Sequence, residues 1–198
     1  MKAILMSIKP KWVAKILNGE KTIDVRKTAP KCELPIDVYV YCTEGNGNLW
    51  RSKSDRSLLL TRVGGAPYTL IPLRDAYDKL NGKVVAKFTM RKVEDVLLVE
   101  GPYPCDALRY DCRTRTLIPS EFYDRSCLLP TEVTGYGNGR KVHAWHISDL
   151  VIFDEPKELD GFDYPNPSGT RYVSMREING LPSKKHPPQS WCYSEEKQ

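Results

Sequence analysis

The sequence holds no apolar run near the roughly 18 residues that a membrane span needs. Its first residues, MKAILMSIKPKW, carry one Lys and a short apolar stretch, with no long hydrophobic region and no small-residue cleavage site. Fifteen prolines and 13 glycines, 28 of 198 residues, fall short of a collagen-like or low-complexity bias. Charged residues are 28% and hydrophobic residues 40%, too balanced for a disordered chain and enough for a core. No phosphate-loop or dinucleotide fingerprint is present, and the run GYGNG at 135 to 139 lacks the strand-to-helix setting such a motif requires. These absences leave a soluble, cytoplasmic, single-domain protein as the expectation, with residues 1 to 198 forming one unit.

Six cysteines are present, Cys32, Cys42, Cys105, Cys112, Cys127 and Cys192. An even count suits disulfides in a small secreted domain, but this chain is larger and lacks an export signal, so free thiols are expected. Cys105 and Cys112 with His143 and His146 make a poor zinc set, because two His at i, i+3 on a strand point to opposite faces. A Cys42–His146 nucleophile pair lacks a third, orienting group in the sequence. Neither metal nor cofactor is expected.

The charge is uneven. Residues 1 to 31 carry Lys2, Lys9, Lys11, Lys15, Lys21, Arg26, Lys27 and Lys31 against Glu20 and Asp24. That is +6 in a chain of +5, so the remainder sums to −1. A basic excess at one end favours an anionic partner there, nucleic acid first.

Residues 2 to 8 read as a short buried strand. Pro10 suits the first turn of a helix. Trp12, Val13, Ile16 and Leu17 form one apolar stripe, which places Trp12 in the core, and Asn18-Gly19 stops the helix. In KTIDVRK, Thr22, Asp24 and Arg26 face one way and Ile23 and Val25 the other, giving one polar and one buried face. Residues 35 to 42 form a strong strand. Residues 43 to 78 read as a long irregular excursion. A short helix is expected over 74 to 80, and a strand pair or bent strand over 82 to 100. Residues 101 to 119 are irregular, a helix opens near 119 and runs to 126, GYGNG is a turn, and KVHAWHISDLVIFDE is strand. The tail from 156 is Pro-rich and irregular, with SWCY pinning its end. The class is α+β, dominated by strands.

SIKPKWVAKILNGEKTIDVRK resembles the opening of an ASCH domain, a branch of the PUA-like superfamily, through Gly19, Lys21, Asp24 and Arg26 of the pattern Gly-x-Lys-x-x-acidic-x-Arg. The later strands VYVYCT, GKVVAKFT and AWHISDL, and the terminal PPQSWCY, follow in the family's order, like a bacterial or phage member. The resemblance implies a small β-barrel flanked by short helices, with long insertions at 43 to 78 and 101 to 119. It also implies a cleft lined by the Gly-x-Lys segment that takes RNA or a modified nucleoside. Small bacterial members hydrolyse N4-acetylcytidine with a Lys at the position of Lys21 and a Thr at the position of Asp24. Here a carboxylate replaces that hydroxyl, so any hydrolysis would use Asp24 as a base toward water.

The residues support this independently. Lys21 and Arg26 can hold a phosphate or polarise a carbonyl oxygen. Asp24 can accept from an exocyclic amine. A purely structural Asp24–Arg26 ion pair is the plain alternative. Tyr39, Tyr41, Trp12 and Trp145 are aromatics that could stack a base, and His146 and Ser148 follow Trp145 toward the same cleft. The leading expectation is a module that binds RNA, a nucleoside or a nucleotide through Lys9, Lys21, Asp24, Arg26, Tyr41, Trp145, His146 and Ser148. The alternatives are an amidohydrolase or ribonuclease using Lys21 and Asp24, and a protein-interaction domain presenting residues 43 to 78.

Overall fold

The computed structural model describes residues 2–45, 47–61, 76–99, 108–111, 116–117, 121–138, 141–163 and 187–196. Fourteen strands are assigned in the described residues: β1 (Ala3–Ile8), β2 (Ile23–Arg26), β3 (Ile36–Cys42), β4 (Asn48–Ser52), β5 (Leu58–Thr61), β6 (Tyr77–Lys79), β7 (Val84–Met90), β8 (Val93–Val99), β9 (Leu108–Asp111), β10 (Thr116–Leu117), β11 (Val142–His146), β12 (Ser148–Lys157), β13 (Phe162–Asp163) and β14 (Trp191–Glu196). The helices are α1 (Pro10–Leu17), α2 (Glu121–Ser126) and α3 (Pro130–Gly137). The chain divides into two compact units.

The first unit comprises Met1–Ala14, Asp37–Phe88 and Leu150–Gln198. It holds a six-stranded sheet in the order β12-β7-β3-β1-β14-β13 and a three-stranded sheet in the order β5-β4-β6. β1 lies between β3, which it meets in parallel, and β14, which it meets antiparallel. A strand flanked on both edges reads as a continuous apolar run, and all six residues of AILMSI are buried. Tyr39, Tyr41, Val84, Leu159 and Phe162 complete one core cluster with Ala3 and Leu5.

The second unit comprises Lys15–Ile36 and Thr89–Asp149. Its five-stranded sheet runs β10-β9-β8-β11-β2, which leaves β2 at an edge. One face of this sheet carries Ile23, Val25, Val96, Val142 and Ala144, packed with Phe122 of α2 and Val133 of α3. Burial of these side chains removes apolar surface from water and fixes α2 beside the start of β2.

Several expectations need correction. The sheets are open, and no closed barrel forms among the described residues. The described part of 43–78 carries β4, β5 and β6 rather than irregular chain. The helix expected over 74–80 is instead strand over 77–79, because Arg51 and Asp78 are ladder partners and pairing with β4 overrides local propensity. GYGNG is not simply a turn. Pro130 opens α3, the Glu132 carboxylate accepts from the Leu129 N–H at 2.8 Å, and the helix carries through Gly137 before Asn138 ends it with φ 52°. The expected irregular tail contains β14, paired to β1. Trp12 is half-buried rather than core, with the Lys11 Nζ 4.4 Å from its ring centroid. No helix of the described residues is long and apolar enough to cross a membrane.

Candidate functional site

The end of α1 sets the geometry. Asn18 and Gly19 follow its last turn, and Gly19 takes φ +76°, a left-handed conformation that an L side chain rarely adopts. The Gly19 N–H donates to the Ile16 carbonyl at 3.0 Å and the Lys21 N–H to the Lys15 carbonyl at 3.0 Å. This reversal places Lys21 two residues ahead of β2. Its side chain is 2% exposed, with Nζ donating to the Ser126 carbonyl at 2.8 Å and lying 3.5 Å from Asp24 Oδ1. Arg26 Nε donates to Asp24 Oδ2 at 2.6 Å. One carboxylate therefore sits between two cations, all three nearly buried.

Ladder register places the neighbours. Asp24 faces Trp145 across the β2–β11 pair and Arg26 faces His143. His143 in turn faces Asp95 of β8, with Nδ1 2.8 Å from Asp95 Oδ1, and Lys141 Nζ lies 3.0 Å from Asp95 Oδ2. Opposed residues share a face, so the polar face foreseen for β2 exists. It is buried rather than solvated, because ion pairs compensate its charges.

Burial opposes ionisation of Asp24, but Arg26 and Lys21 outweigh it and hold the carboxyl below its ordinary value. Burial lowers the Lys21 pKa and the attraction of Asp24 recovers only part of that fall. The result is a carboxylate that stays ionised and an ammonium that loses its proton more readily than usual.

The structure brings together Lys21, Asp24, Arg26 and Trp145 of the expected set. His146 belongs to the opposite face of β11. Its Nε2 lies 2.6 Å from Glu94 Oε2 and its Nδ1 3.5 Å from Arg125 Nη2. Arg125 Nε also donates to Thr22 Oγ1 at 3.1 Å, and the Thr22 N–H donates to the Arg125 carbonyl at 2.8 Å. Ser148 Oγ donates to the Thr89 carbonyl at 2.7 Å, a backbone tie. Lys9 and Tyr41 belong to the first unit: Lys9 is exposed, and its carbonyl receives the Trp12 and Val13 N–H groups. Tyr41 is buried in β3.

Tyr39, Tyr41 and Trp145 are 7%, 4% and 0% exposed, so their rings serve the core and offer no open face for a base. Ser126, Arg125 and Glu94 were not foreseen. Ser126 acts through its main-chain oxygen, which no side-chain pattern marks. Glu94 left a trace, as one of two charges in the otherwise apolar VEDVLLV run.

Among the described residues no group of three or more His, Cys, Asp or Glu is arranged to hold a metal ion. Cys105 and Cys112 of the zinc grouping lie outside the described residues. Cys42 is buried and its thiol pushed up to about 12, which removes the thiolate a nucleophile needs.

No family model matches the chain, and no curated protein does. Three-dimensional comparison does find similarity. The fold is similar to the crystal structure of ASCH from Zymomonas mobilis, at 15% identity and TM-score 0.51, over 96% of this chain and 85% of that one. Structures of a serine-to-alanine and a tyrosine-to-phenylalanine variant of the same protein match at the same identity and TM-score, over 85% and 88% of their chains. At this identity the likeness is one of fold, an α+β arrangement of mixed sheets and a few short helices.

Proposed function

We propose that this chain binds RNA, or a modified nucleoside or nucleotide, through Lys21, Asp24 and Arg26. One observation carries the reading: two cations and one carboxylate are nearly buried together at the start of an edge strand, with a net charge of +1. Ion pairs in low dielectric act more strongly than in water, and two cations set around one carboxylate favour an anionic or carbonyl-bearing ligand. A carboxylate has about four acceptor positions, so Asp24 can take an exocyclic amine beside its existing partners. The resemblance of the Gly19–Arg26 segment to the ASCH motif supports the same ligand class, and the basic amino-terminal segment supports phosphate contact.

Asp24 is poorly suited to activating water. A carboxylate whose proton affinity has been lowered is a weaker base. This favours binding over the hydrolysis of N4-acetylcytidine-like nucleosides or RNA.

The test titrates the protein with cytidine, N4-acetylcytidine and a short single-stranded RNA at rising salt, and analyses the same tubes for products by chromatography. Saturable binding is expected, weakened by salt for the RNA and lost in Lys21→Met with the circular dichroism unchanged. Product formation that disappears in Lys21→Met and Asp24→Asn would instead make the chain a hydrolase. Absence of both binding and turnover would overturn the assignment, and partner capture abolished by deleting 62–75 would then favour a protein-interaction role.

A further inference from the structure

The rings foreseen for stacking are buried or half-buried, and the ring that is open lies elsewhere in the second unit. Tyr136, on α3, is 40% exposed. The Lys27 Nζ stands 5.0 Å from its ring centroid. Lys27 directly follows Arg26, so β2 runs between Lys21, two residues before its start, and Lys27, just past its end. Alternation turns Lys27 to the Val25 side of the sheet, the side that carries α3. Edge strand β2 therefore has the buried ionic cluster on one face and a cation–ring pair at its far end on the other.

A solvent-exposed ring beside a flexible ammonium is the arrangement that holds an unpaired base and its phosphate. The base stacks on the ring whatever its identity, and the lysine takes the adjoining phosphate. A nucleoside has a single base. If the Lys21–Asp24–Arg26 cluster holds that base, Tyr136 has nothing to stack. Two subsites along one strand call for two bases.

We infer that Tyr136 and Lys27 form a second base subsite and that the ligand is a single-stranded oligonucleotide rather than a free nucleoside. This rests on the binding role proposed above for Lys21, Asp24 and Arg26. Base-paired strands bury their base faces in the stack and present none to Tyr136, so duplex RNA binds more weakly than single strands.

The experiment measures fluorescence anisotropy of a labelled short single-stranded RNA, the same RNA annealed to its complement, and competition by cytidine monophosphate. The proteins are the wild type, Tyr136→Ala, Tyr136→Trp, Lys27→Ala and Lys21→Met. Tyr136→Ala is expected to weaken single-strand binding about five- to 150-fold, with Tyr136→Trp retaining it and mononucleotide affinity unchanged in both. Lys27→Ala should weaken the oligonucleotide and reduce its salt dependence by about one phosphate contact. Wild-type affinity in Tyr136→Ala, with loss in Lys21→Met, would overturn the second subsite and leave the binding role standing. An equal fall for mononucleotide and oligonucleotide in Tyr136→Ala would also overturn it, placing the ring in the first subsite. Failure of the wild type to bind any of the probes would overturn both readings.

Discussion

The ammonium of Lys21 and the main-chain oxygen of Ser126 meet at 2.8 Å although 105 residues separate them in sequence. This bond ties the start of β2 to the last residue of α2, and the Lys21 ammonium also lies 3.5 Å from Asp24 Oδ1. The chemistry of the cluster and its stability are consequently linked.

Asp24→Ala tests that link. It leaves two nearly buried cations without their shared carboxylate, and breaking a buried pair in this way costs about 3–5 kcal/mol. The urea-unfolding midpoint should fall accordingly, while Asp24→Asn, which keeps shape and acceptor oxygen, should lose less. Equal stability of Asp24→Ala and the wild type would show that the cluster contributes nothing to the fold.

His146 gives a prediction about acid. Burial lowers its pKa below 6.5, Arg125 and Lys92 push the same way, and Glu94 at 2.6 Å opposes them without prevailing. A folded-state pKa below the unfolded value means that the contribution of His146 is full above pH 6.5 and is lost as pH falls through the folded value. Unfolding free energy should decline as pH falls below 6.5, and His146→Gln should flatten that slope. An NMR titration of the His146 ring with a midpoint above 6.5 would contradict this.

Thiol labelling reads the core of the first unit. Burial pushes Cys42 up to about 12 and Cys192 up to about 11. Iodoacetamide at pH 8 should leave both unmodified in the native protein and label them after urea, as read by mass spectrometry. Native labelling of Cys42 at the rate of a free thiol would show that β3 opens.

Arg51 is 2% exposed and holds the outer carbonyls of β12, donating from Nη1 to Phe153 at 2.7 Å and from Nη2 to Asp154 at 2.5 Å. Arg51→Ala removes both charge-assisted bonds and opens a cavity, so a loss of about 3 kcal/mol or more is expected in urea unfolding. Arg51→Met restores volume without the donors and should recover part of that loss. An unchanged midpoint in Arg51→Ala would contradict the role.

The parts of the fold that sequence pattern revealed are those in which local signals agree. Pro10 and Asn18-Gly19 bracket α1, and the β-branched and aromatic run at 35 to 42 marks β3. The ionic cluster was legible as a composition of residue types, because Lys21, Asp24 and Arg26 lie within six positions. Its burial was not, since that depends on Ser126 and on register with β11, neither of which is local. The same reason explains Tyr39, Tyr41 and Trp145, whose residue types suit both a core and a stacking face. Tyr136 escaped notice because the glycines around it suggested a turn, whereas Pro130 and Glu132 impose a helix from the other end.

The central position of β1 has a consequence for synthesis. Its parallel neighbour β3 emerges from the ribosome soon after it, but its antiparallel neighbour β14 follows only after the whole of the second unit has been made. The strand around which the first unit is organised therefore keeps one bare edge until β14 has been made. The second unit has no such debt, for every strand it pairs lies between Lys15 and Asp149. A stalled nascent chain ending before Trp191 should thus hold a protease-resistant second unit, while its first unit should resist only once Trp191–Glu196 has emerged.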